Sequence, residues 1–179
     1  MTFYLVDTNV LLAASASHDS LSDVNDRAMP HEAGLREHVH AWLAAFDASD
    51  DGLILDEASL IMEEYERNLP FSQALHHPEY GLEVVQRKCA RGLVRYVPLK
   101  VVEANGERVA ELPEELANIV TDREDRKWIA AARAAHKYLG LKAPIVYAAE
   151  SDWLRVEETL KPYGIVFCRL LPRDWYKKD

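Results

Sequence analysis

Four short apolar runs punctuate the chain: FYLV at residues 3–6, GLIL at 52–55, PIVYA at 144–148 and GIVFCRL at 164–170. Runs of this length suit buried strands, and the stretches between them carry helical patterning. Strands alternating with helices imply an α/β fold with a mainly parallel sheet. In such sheets the functional site lies outside the carboxyl ends of the strands. That rule directs attention to YLVDTNVLLAA, residues 4–14, where Asp7, Thr8 and Asn9 interrupt an apolar run that then resumes. A carboxylate at the edge of a buried segment is costly unless something compensates it. The acids Glu150 and Asp152 follow PIVYA in the same way, so the two acidic turns are expected on one rim of the sheet.

The remaining punctuation completes the outline. Helices are predicted over about 9–15, 32–46, 56–68 and 79–91, with a strong one in DREDRKWIAAARAAHKYLG that Gly140 stops. Residues 16–31 are polar and turn-rich. Segments 95–103 and 108–112 flank Asn105-Gly106, a hairpin-turn signal. The whole chain, residues 1–179, reads as one domain with a hairpin insertion near 94–112.

Composition narrows the function classes. Acidic residues outnumber Lys plus Arg by 30 to 21, a formal net charge of −9, so the surface as a whole repels polyanions. A passive nucleic-acid binder is disfavoured; an enzyme whose clustered carboxylates are neutralised by metal ions is not. No run approaches the roughly 18 apolar residues of a membrane span, and no secretory signal is apparent. A cytoplasmic location with Cys89 and Cys168 as reduced thiols is therefore expected.

Helical arithmetic at about 100° per residue sorts the remaining acids. In DEASLIMEEYERNL the apolar arc is set by Leu60, Ile61, Tyr65 and Leu69; Glu64 falls inside it, while Glu63 and Glu66 point away. In DREDRKWIAAARAAHKYL the arc centres on Trp128, Ile129, Ala132, Ala135 and Leu139. Asp125 lies near its middle and Asp122 at its margin, with Arg126, Lys127, Arg133 and Lys137 facing elsewhere. Each acid has a simpler role open to it. Asp7, Asp122 and Asp152 could cap helices, Asp125 could complement a helix dipole, and Glu64 could pair with a buried Arg. Taken together, Asp7, Glu64, Asp125 and Asp152, each inward or at a strand end, argue for a shared site. Carboxylates gathered in this way raise one another's pKa unless a cation intervenes. Oxygen-only ligands suit Mg²⁺ or Mn²⁺, the equipment of metal-assisted phosphodiester hydrolysis.

With these residues in view, the chain resembles the PIN-domain nucleases. The Asp-Thr-Asn at the end of their first strand is matched by Asp7, Thr8 and Asn9. Their helix-borne Glu followed by Tyr is matched by Glu64 and Tyr65 in IMEEYERNL. Their Asp-x-Lys-aromatic is matched by Asp125 in DREDRKWIAAA, and their last acidic turn by Glu150 and Asp152 in VYAAESDWL. Glu150 departs from the Asp or Asn usual there, so Asp152, Glu150 or both are open as the last ligand. The resemblance implies a three-layer α/β/α fold and cleavage of single-stranded RNA. It implies Asp7, Glu64, Asp125 and Asp152 as metal ligands, with Thr8 and Asn9 in support and Arg123, Arg126 and Lys127 near substrate phosphates. It also implies a homodimer and, for a toxin of a toxin–antitoxin pair, a small antitoxin partner. The alternatives are a PIN-like module with a degraded site that binds RNA or protein, and a nuclease acting on single-stranded or flap DNA. A zinc site is disfavoured, because His38 and His40 would lie on nearly opposite sides of a helix and neither cysteine sits in a metal-binding spacing. The sequence holds no Gly-rich phosphate loop and no nucleophile elbow.

Overall fold

A computed structural model describes residues 1–178. Five parallel strands form the central sheet: β1 (Phe3–Val6), β2 (Gly52–Asp56), β5 (Val94–Val97), β8 (Ile145–Tyr147) and β9 (Phe167–Arg169), in the order β5-β2-β1-β8-β9. All four pairings are parallel, with Leu5 beside Ile145 and Leu53 beside Val94. The inner strands β1, β2 and β8 are apolar almost throughout and buried, as strands covered on both faces must be. The fold is α/β, and the seven α-helices among the described residues, set around one parallel sheet, are compatible with three layers.

Helices α1 (Thr8–His18), α2 (Ala33–Ala48) and α4 (Tyr80–Ala90) pack on one another. Gly81 lets α4 lie close against α1, because a Cβ there would sit 2.7 Å from the Leu11 carbonyl oxygen. Its amide donates to the buried Ser15 hydroxyl at 2.8 Å, fastening the start of α4 to α1. Buried Glu79 accepts from the Ser22 hydroxyl at 2.6 Å and the Asp23 amide at 2.9 Å, which pins the turn-rich segment after α1. Helix α6 (Arg126–Leu139) packs against β1, β2 and β5 and meets α3 (Leu60–Asn68). Gly140, at φ 66°, closes α6 in the left-handed conformation that glycine tolerates. Helices α5 (Glu114–Ile119) and α7 (Ser151–Leu160) lie in contact with each other.

The middle of the chain departs from the expectation. Residues 94–97 are not part of a hairpin insertion; they form the edge strand β5 of the central sheet. The hairpin is shorter, β6 (Val101–Ala104) paired antiparallel with β7 (Glu107–Ala110). Asn105 and Gly106 both have positive φ, 56° and 81°, as the tight turn requires. A second small hairpin, β3 (Phe71–Ser72) with β4 (His77–Pro78), has no sequence signal long enough to announce it. Among the described residues no helix is long and apolar enough to cross a membrane.

Candidate functional site

The route of the chain through the sheet creates the site. From β1 it winds outward through β2 to β5, then returns to the other flank of β1 for β8 and β9. The direction reverses between β1 and β8, and a crevice opens beyond their carboxyl ends. Asp7 immediately follows β1, and Glu150 lies in the turn between β8 and α7. A cleft of about 240 Å³ at this point is lined by Asp7, Asn9, Glu64, Asp122, Asp125 and Glu150, among others. Carboxylates more than a hundred residues apart in sequence thus share one small volume.

Asp7 is nearly inaccessible, 4% exposed. Its Oδ1 accepts from the Asn9 amide at 2.9 Å, so it does cap α1. Its Oδ2 accepts from the indole Nε1 of Trp153 at 3.0 Å. Burial nevertheless pushes its pKa up to about 7; the two hydrogen bonds offset part of this, and the Glu64 and Glu150 charges add to it. Asp125 stands at the N-cap position of α6 but makes no side-chain cap bond. Its pKa is pushed up to about 8, first by burial and then by Asp7, Asp122 and Glu150, with Lys127 opposing. Glu150 accepts from the Asn9 side-chain amide at 3.1 Å and from the Asp152 amide at 3.2 Å. Its pKa is also raised, chiefly by burial.

Glu64 completes the group from α3. It accepts from the Thr8 hydroxyl and is ion-paired with Lys127, whose ammonium also donates to the Glu124 carbonyl. Lys127 is 6% exposed, contrary to the expectation that it faces away from the packed side of α6. Its first-turn position lets a long side chain fold back to Glu64, while Leu139, at the far end of the expected arc, is 39% exposed.

Other expected residues lie elsewhere. Asp152 does not line this cleft; it is on the first turn of α7, its carboxylate 3.1 Å from Arg155. It borders a neighbouring pocket with Asp122 and Asp125. Arg126 spans the end of α5, donating to the carbonyls of Val120 at 3.1 Å and Ala117 at 3.2 Å, so its guanidinium is a structural tie. Arg123 is exposed, on an adjoining groove. Asp122 accepts from the Glu124 amide at 2.9 Å.

Two residues outside the predicted site set also shape the site. Trp153 holds Asp7 across 146 positions of chain, which no local pattern signals. Tyr65 donates its hydroxyl to the Val6 carbonyl, fixing the end of β1 beside Asp7.

The donor chemistry of the cleft is all oxygen, and its negative charge exceeds the single ammonium of Lys127. That excess fits a hard divalent cation. Among the described residues no three such side chains are arranged to hold an ion as they stand; Glu64 is engaged by Lys127, and Asp7 by Trp153 and Asn9. No protein-family model matches the chain, and no curated protein or solved structure matches it either.

Proposed function

We propose that the chain is a divalent-metal-dependent nuclease that hydrolyses single-stranded RNA, with Asp7, Glu64, Asp125 and Glu150 as the carboxylates that hold Mg²⁺ or Mn²⁺. The observation that carries this reading is the convergence of these acids, from four separate segments, on one cleft at the reversal point of a parallel sheet. The raised pKa values of Asp7 and Asp125 support it, since carboxylates buried together without enough counter-charge are poised to exchange protons for a cation.

The chain's own groups then have defined tasks. Trp153 and the Asn9 amide orient Asp7, the Thr8 hydroxyl orients Glu64, and the Asn9 side chain orients Glu150. A bound divalent ion supplies the Lewis acidity for attack of water on phosphorus and neutralises charge on the phosphate. Lys127 balances the charge of Glu64 and would share that carboxylate with a bound cation. The choice of RNA over DNA rests on the PIN resemblance, carried by the four motifs in order.

A second reading has one observation in its favour. The buried Lys127–Glu64 pair satisfies Glu64 without any metal, as expected of a PIN-like module that binds without cleaving. Cleavage of unstructured RNA in Mn²⁺ separates the two. The wild-type protein is expected to cut it, and Asp7→Asn and Asp125→Asn to be at least about a hundredfold slower, the scale on which loss of transition-state charge stabilisation is felt. Equal cleavage by all three proteins would remove the assignment. Absence of cleavage by freshly folded wild type, with Mn²⁺ bound, would favour the binding module.

A further inference from the structure

Beside the acidic cleft runs a second depression, an open groove of about 270 Å³ between α3, the β6–β7 hairpin and the segment that leads into α6. Glu64 and Glu124 line both depressions, so groove and cleft are continuous. In a chain of net charge −9, this groove gathers Arg67 from α3, Arg108 from β7 and Arg123 from the loop before α6. We propose that this groove is the path of the RNA strand to the cleft, with Arg67, Arg108 and Arg123 as its phosphate contacts. The proposal rests on the nuclease reading and adds to it the surface that holds substrate.

The state of the three guanidiniums supports this. Arg67 is 3.5 Å from Glu124, with both side chains about two-thirds exposed. Arg108 is 3.0 Å from Glu63, also exposed, and donates to the Ala58 carbonyl. Arg123 makes no ion pair among the described residues. Exposed pairs of this kind contribute little and are screened by salt. A phosphate oxygen can therefore replace Glu124 or Glu63 at small cost, while those glutamates keep the empty groove from attracting polyanions indiscriminately. Arginine's planar fork suits phosphate oxygens better than a lysine point charge does. The hairpin serves as the outer wall: Arg108 reaches back to α3, and the tight Asn105-Gly106 turn holds the two strands in register.

The contacts are to backbone, so binding should be salt-dependent and tolerant of base sequence. The test is fluorescence anisotropy of a cleavage-resistant 2′-O-methyl oligouridine over a range of KCl concentrations. The variants are Arg67→Ala/Arg123→Ala, both at exposed positions, and the triple variant that adds Arg108→Ala. Arg133→Ala/Lys137→Ala, elsewhere on α6, serves as the control. The triple variant is expected to bind about tenfold or more weakly, and its log–log salt slope to shrink by about 2, as three lost single-strand contacts imply. The double variant should show about two-thirds of the slope change, which keeps the test valid if Arg108→Ala loosens the hairpin. Mn²⁺ binding should be unchanged in both. Wild-type affinity and slope in the triple variant overturn the groove, as does an equal loss in the control or failure of the wild type to bind. Tighter binding of a polyglutamate peptide than of RNA overturns it in favour of an acidic protein partner. Persistent Mn²⁺-dependent cleavage by a triple variant with unchanged KM overturns the groove alone and leaves the nuclease reading standing.

Discussion

Replacing Asp7 by Asn should shift stability in EDTA toward the variant by about 2.5 kcal/mol as pH rises from 5 to 8. The Asp7 carboxyl titrates near 7 in the fold and near 3.9 in an unfolded chain. Between those values the folded state binds a proton that the unfolded state has released, so stability falls as pH rises through this window and levels off above it. At 1.36 kcal/mol per unit, the wild type loses about 2.5 kcal/mol at this site between pH 5 and pH 8. The Asp7→Asn variant does not titrate and escapes that loss. It retains one acceptor for the Asn9 amide, and Asn caps helices as well as Asp does. Its amide nitrogen cannot accept from Trp153, a buried bond whose loss costs about 1–3 kcal/mol. The variant is therefore expected to be weaker than wild type by about 1–3 kcal/mol at pH 5 and to draw level with it or exceed it by about 1 kcal/mol at pH 8, a shift of about 2.5 kcal/mol in its favour. Urea unfolding in EDTA at both pH values, followed by tryptophan fluorescence, measures the difference. A variant-to-wild-type difference that does not change with pH would refute the reasoning, and an unfolded variant would show that the Trp153 bond dominates.

Three further outcomes follow from the same geometry. Lys127→Met strands a mostly buried Glu64 with only Thr8 as partner, so in EDTA it should cost about 3 kcal/mol in urea unfolding. The same change should tighten Mn²⁺ binding by calorimetry, since a competing cation is gone; weaker binding would show that Lys127 positions Glu64 instead. Because Asp7 and Asp125 titrate at about 7 and about 8, Mn²⁺ affinity should climb from pH 6 to pH 8 and flatten beyond, with proton release detectable in buffers of different ionisation enthalpy. Gly81→Ala forces a Cβ into the Leu11 backbone and should lower stability by about 1–3 kcal/mol in the same urea assay.

The strands and helices that frame the site were legible because their signals are local. FYLV, GLIL and the runs before Glu150 and after Gly164 are too short and apolar for anything but buried strands, and all four joined one sheet. The 94–112 region was misread because the Asn105-Gly106 turn signal is strong, and it drew VRYV into a hairpin. That segment pairs instead with β2, a partner some forty residues earlier that no turn announces. At the site, strand ends and helical phase placed Asp7, Glu64 and Asp125 on one side, and the structure sets them around one cleft with Glu150. Choosing between Glu150 and Asp152 depended on the turn into α7, where Glu150 takes the cap position and sends Asp152 outward to Arg155. Helical phase also misplaced Lys127, because a four-carbon side chain can turn its charge well away from the direction of its Cβ. Contacts such as Trp153 to Asp7 join residues that only the tertiary fold brings together.

The central claim, that these four carboxylates hold a divalent cation, is tested most directly by Mn²⁺ binding at pH 8 to the wild type and to Asp7→Asn, Asp125→Asn, Glu150→Gln and Asp152→Asn. Saturable binding to the wild type is expected, weakened by about tenfold or more in the first three variants and within about threefold of wild type in Asp152→Asn. No saturable binding, or the same affinity in all five proteins, would contradict it.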